Sequence, residues 1–240
     1  MEMQPRAYIK GKQAMPETKK IRPLPLQLPF QTPGEDIANS ILHGLGVFLA
    51  IAGLVLLTLR NLGYFGGTMA SGPVIACYVI FSATMISMFL SSTLYHAIQH
   101  EGAKRIFQIL DHSSAYLLIA GTYTPFCLLA IGGVWGWTYF GIEWAVALTG
   151  IILNAVNRKL LVKIELWVYL AMGWAIIAGV WLLYSRIPHI SFFLLLGGGI
   201  IYTMGTIWSK RMHRRGTHVI WHCHIISGAV LHWLSLWFMS

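Results

Sequence analysis

Residues 73–96 read PVIACYVIFSATMISMFLSSTLYH, 24 positions without a Lys, Arg, Asp or Glu and closed by a histidine. As a helix, a run of that length rises about 36 Å, enough to cross roughly 30 Å of hydrocarbon. Six more apolar runs of similar length flank it, at 37–59, 107–131, 137–156, 164–184, 189–209 and 217–238. None alternates as a barrel strand must, and only helices or closed barrels satisfy every backbone group in lipid. The expected fold is therefore an all-α membrane protein, a seven-transmembrane helix bundle over residues 35–240. Composition agrees: 56% of residues are hydrophobic and 10% charged, with a mean hydropathy of +0.64, a balance that a soluble domain could not cover with polar surface.

Residues 1–34 differ in kind. Pro5, Pro16, Pro23, Pro25, Pro29 and Pro33 stand among scattered charges, which predicts a flexible basic tail outside the bilayer. It lacks the basic-then-apolar start and small-residue cleavage site of a secretory signal, so it is expected to be retained. Threading the seven spans through alternate sides leaves Arg60 and Arg186 alone on one side and the other 15 of 17 Lys and Arg on the opposite one. The positive-inside rule then predicts a cytoplasmic N-terminus and an external C-terminus, in a bacterial-type cytoplasmic (inner) membrane. The formal charge of +9 serves topology and anionic headgroups. No basic stripe is interleaved with stacking aromatics, so no nucleic acid is expected. Gly197, Gly198 and Gly199 lack the Lys-Ser or Lys-Thr of a phosphate loop and suit close helix packing or a kink, so no nucleotide is expected.

Polar residues inside the spans sort by depth. SSTLYH places Ser92 and His96 one turn apart at the inner end of the second span, Asp111 falls in the first turns of the third, and HVIWH puts His218 and His222 on one face of the seventh. Imidazoles are costly in hydrocarbon, and three at one level suggest a tetrahedral zinc with one open position. The alternative is a structural polar network joining spans two, three and seven. His224 lies about 200° round the helix from His222, and His232 about 21 Å beyond His218, so neither suits the same ion. Glu35, Asn39 and His43 repeat every four residues on the first span. They read either as a second shell or substrate-polar pocket, or as a helix cap of Glu35 and Asp36 with a packed Asn and His. His112 is expected to face elsewhere. Cys77, Cys127 and Cys223 form no CxxC pair and are read as small buried residues. Trp135, Trp137, Tyr139, Trp144, Trp181, Tyr184, Trp233 and Trp237 are read as an interfacial belt.

At these residues the chain resembles a known family. SSTLYH, Asp111 within LDHSSAYLLIAGTYTPF, and HVIWHCHIISGAVLHW look like the hemolysin III branch of the progestin and adipoQ receptor (PAQR) superfamily, and EDIANSILHGLG matches its start of the first span. The resemblance covers about residues 34–240. It implies a zinc held by His96, His218 and His222, with Asp111 and Ser92 orienting or hydrogen-bonding a water at the fourth position. Because the superfamily includes intramembrane amide hydrolases such as ceramidases, it also implies hydrolysis of a lipid amide or ester by metal-activated water, with Asp111 shuttling the proton and Ser92 positioning water or oxyanion. Membrane lipids would be environment and substrate. The other readings are a pore-forming, channel-type haemolysin and a non-catalytic receptor or regulator of membrane lipid state.

Overall fold

The computed structural model describes residues 31–211 and 214–240, except for the side chains of Lys159 and Leu160. The tail expected over residues 1–34 lies outside the described residues up to position 30, and Pro33 and Gly34 already belong to the first helix. Seven helices are long and apolar enough to cross a membrane: α1 Pro33–Asn61, α2 Gly72–Ala97, α3 Glu101–Ile131, α4 Gly133–Val156, α5 Glu165–Tyr184, α6 His189–Ser209 and α7 Thr217–Met239. Among the described residues the only extended pairing is an isolated bridge between Leu62 and Met69. The seven-helix expectation holds, with the largest boundary shift at α3, which begins six residues before the expected 107 because the His100 side chain accepts the Ala103 N–H and caps it.

α1 starts where its chemistry directs. Thr32 caps it, Pro33 occupies the first turn where no intrahelical N–H is needed, and Thr32 and Glu35 close a capping box. Its inward stripe is Asp36, Asn39, His43, Gly46, Ala50, Gly53 and Leu57, at alternating spacings of three and four. Glycine at 46 is required by packing: a Cβ there would lie 2.7 Å from the Phe89 ring of α2.

α2 and α3 form the centre of the bundle, with far more of their length buried than α5 or α6. Ser91 and Ser114 join them at 2.8 Å. α3 changes from α to π geometry over Phe126–Ile131, just after Pro125, whose missing N–H disturbs the hydrogen-bond ladder. Gly132 and Gly133, at φ 60° and 57°, then reverse the chain into α4. α6 and α7 pair tightly through reciprocal bonds, Ser191 Oγ to the Ser235 carbonyl and Ser235 Oγ to the Ser191 carbonyl, each 2.7 Å. Gly198 lets the His232 ring press on the α6 backbone. α5 is the loosest member, and its 3₁₀ stretch Ala175–Gly179 is held by Tyr123 of α3, whose hydroxyl donates to the Met172 carbonyl at 2.7 Å and accepts from Ile176 N–H at 2.8 Å.

The aromatic belt needs sorting. Trp135, Trp137 and Trp181 are exposed along the bundle surface. Trp144 instead donates to Thr124 Oγ1 at 3.1 Å and Trp233 to the Gly53 carbonyl at 3.1 Å, so both tie helices together. Cys77 and Cys127 are buried as expected, whereas Cys223 is exposed. In a bilayer an outward thiol faces lipid, not water, so nothing drives so small and weakly polar a group inward.

Candidate metal centre

The last turns of α2 and the first turns of α7 meet at one end of the bundle, and their histidines converge. His96 Nε2 lies 3.1 Å from His222 Nε2 and 3.4 Å from His218 Nε2, and all three donor atoms fall within 4.8 Å of one another. His96 and His222 are buried, and His218 is half-buried beside a cavity. Two imidazoles on one tetrahedral zinc, at 2.0–2.1 Å each, would stand about 3.4 Å apart. Three neutral imidazoles turned to a common point cannot satisfy one another with hydrogen bonds, because each pair shares at most one proton. The donor set therefore fits a metal ion of the kind imidazole nitrogens hold.

The far nitrogens are oriented by the protein. His96 Nδ1 donates to Asp36 Oδ1 at 2.9 Å, and the other Asp36 oxygen accepts from Lys104 Nζ at 2.6 Å. His222 Nδ1 lies 2.6 Å from His43 Nε2. With His222 Nε2 turned to the common point, Nδ1 carries the hydrogen and donates it to His43. Carboxylates and neutral acceptors behind ligating histidines fix their tautomer and ring angle. His218 Nδ1 is buried without a partner.

Of the polar stripe expected on α1, His43 reaches the cluster. Asn39 is fully buried with both amide atoms unpartnered. Glu35 does not join them: its carboxylate binds Thr32 at 2.8 Å and also accepts the Gly216 N–H, clamping the start of α1 to the turn before α7. The helix-cap reading is what Glu35 does. Asp36 is the residue that sequence reasoning missed. Its acidity was accounted for by the helix dipole, yet it precedes Asn39 by three and His43 by seven, which is the inward rhythm of α1.

Ser92 and Asp111 flank a cavity of about 540 Å³ that His43, His218 and His222 also line. Ser92 is fully buried and its hydroxyl has no partner. Asp111 faces it from α3. His112, expected to look elsewhere, borders the same cavity and pairs with Glu165 of α5 at 3.1 Å. His224 turns away and meets the Ile220 carbonyl at 2.8 Å. His232 sits deeper, against the Leu195 carbonyl at 3.2 Å, consistent with a structural role. The cavity continues from the histidines between α3, α5 and α6 along mostly apolar walls as far as Leu183 and Phe192.

A family model described as Haemolysin-III related matches residues 31–233. The chain is 41% identical over 198 residues to "Hemolysin-3 homolog" of Bacillus subtilis (strain 168), covering 81% of this chain and 89% of that one. It is 38% identical over 197 residues to "Hemolysin-3" of Bacillus cereus, covering 82% and 88%. A more distant similarity, 24% over 164 residues with 66% and 68% covered, links it to "Monocyte to macrophage differentiation factor" of Homo sapiens.

Proposed function

The chain belongs to the haemolysin-III related family, and from that premise we propose that it is a zinc-dependent intramembrane hydrolase acting on an amide or ester bond of a lipid. The observation that carries the reading is the convergence of His96, His218 and His222 beside Ser92 and Asp111 at one end of a long apolar cavity. When bound, zinc would supply Lewis acidity and bring the pKa of water to about 7. The protein's own groups do the rest. Asp36 and His43 hold His96 and His222 in the tautomer that leaves Nε2 free. Asp111 takes a proton from attacking water at a carboxylate oxygen and returns it to the leaving amine or alcohol. Ser92 Oγ donates to the developing oxyanion. The cavity walls exclude bulk water and align the chain of the substrate. The charge asymmetry supports placing this site at the cytoplasmic side of an inner membrane.

A pore is the second reading, favoured by the printed name of the Bacillus cereus relative and by the buried Glu143 and half-buried His232 beyond the histidine cluster. The deciding experiment is elemental analysis of purified protein and of His96→Ala, followed by incubation with lipid extracts and mass spectrometry. About one zinc per chain, lost in the variant, together with new fatty-acid or amine products, is expected. Ion flux in proteoliposomes without hydrolysis would replace the hydrolase by the pore.

A further inference from the structure

Arg158 stands where an arginine needs a reason. It is 9% exposed, its Nε has no partner, and it lines the cavity that holds the histidines. Its Nη1 donates to Asn154 Oδ1, and Asn154 in turn donates to the Ile109 carbonyl and Ser113 Oγ, both at 2.8 Å. The guanidinium is thus braced from α3 and α4, about one turn from the level of Asp111. Among the described residues no carboxylate lies within 4.0 Å of it. Of the two acids on the cavity, Glu165 is turned to His112 at 3.1 Å and Asp111 to Ser92. A buried guanidinium with free N–H groups is expensive unless something anionic completes it.

The surroundings specify that ligand. Lys210 borders the same mouth, its ammonium 4.3 Å over the Trp167 ring. Behind Arg158 the walls are apolar, including Val162, Leu166 and Leu170. The fork of a guanidinium matches phosphate and carboxylate with two parallel bonds. We infer that the cavity takes an acidic single-chain amphiphile, with its phosphate or carboxylate on Arg158, Lys210 at the rim, and its alkyl chain running past the histidines between α5 and α6. As the identity of the substrate or acyl product this rests on the hydrolase reading; as a binding site it stands on Arg158 and the cavity.

The test is calorimetric binding of dodecyl phosphate to the full chain in dodecyl maltoside, with inorganic phosphate as competitor. Arg158→Gln is expected to weaken binding at least tenfold and Arg158→Lys by less, while metal content and melting temperature stay unchanged. Excess inorganic phosphate is expected not to displace the probe. Equal affinity in wild type and a folded Arg158→Gln overturns the proposal, as does displacement by inorganic phosphate alone. Should Arg158→Gln fail to fold, Arg158→Lys keeps the charge, and affinity equal to wild type in that variant overturns the two-bond fork. In His96→Ala the Arg158-dependent difference is expected to persist. An inactive wild type that still binds dodecyl phosphate through Arg158 therefore removes the hydrolase alone, and turnover with no effect of Arg158→Gln removes the anion site alone.

Discussion

The two halves of this bundle are built to different tolerances. α1, α2, α3 and α7 hold every histidine of the cluster and fit tightly, down to the contact of Phe89 with the backbone at Gly46. α5 walls the cavity with most of its surface unburied, and its 3₁₀ stretch is secured mainly by Tyr123; α6 is fastened to α7 on one side by Ser191 and Ser235 and faces α5 loosely on the other. Ligands to one ion tolerate little displacement, whereas a passage for an alkyl chain needs a wall that can part. Rigidity and looseness are thus assigned to separate seams of the bundle, and each can be perturbed alone.

The sharpest test on the rigid side is Asp111→Asn. Turnover of whichever lipid the extracts reveal should fall at least about 100-fold with zinc retained, as loss of a general acid-base group predicts; unchanged turnover with full metal content would refute the role. Asp36→Asn comes next. It should weaken zinc binding about 10- to 100-fold in chelator competition, and an unchanged affinity would mean that His96 needs no orienting carboxylate. Gly46→Ala pushes a Cβ to 2.7 Å from Phe89, whose ring meets His43 edge-on at 5.3 Å. A destabilisation of about 1–3 kcal/mol is expected in denaturant titration. The same insertion where α6 faces α5, Gly199→Ala, has its nearest neighbour at 3.7 Å, Trp174, and should change stability by less than about 0.5 kcal/mol. If the two cost the same, the contrast between the two seams fails. Lys104→Gln should have the smallest effect on metal, a few-fold at most, because Lys104 reaches the cluster only through Asp36, whose bond to His96 remains.

Legibility followed the solvent. Lipid forces uninterrupted apolar runs, so the seven spans could be read off directly, and helical spacing alone put His218 and His222 on one face. The bend in α3 was hidden because Pro125 and the following apolar residues announce no π geometry. Asp36 was hidden behind its neighbour: at a helix start both acids are explained by the dipole, and only the stripe continuing through Gly46 and Ala50 shows which one turns inward. Arg158 was read as one more topology charge, since nothing local distinguishes a guanidinium in the headgroups from one folded back beneath them. That distinction is made by Asn154, four residues earlier and itself anchored on a different helix.

The His222–His43 contact also limits where hydrons can travel. His43 receives a hydrogen at Nε2, so its own Nδ1 carries one, and that atom is sealed off with nothing to accept it. The row of rings is a cul-de-sac at His43, whereas His96 at the other end of the row meets a carboxylate, Asp36. The ring N–H of His43 should accordingly be among the slowest in the protein to exchange with deuterium oxide.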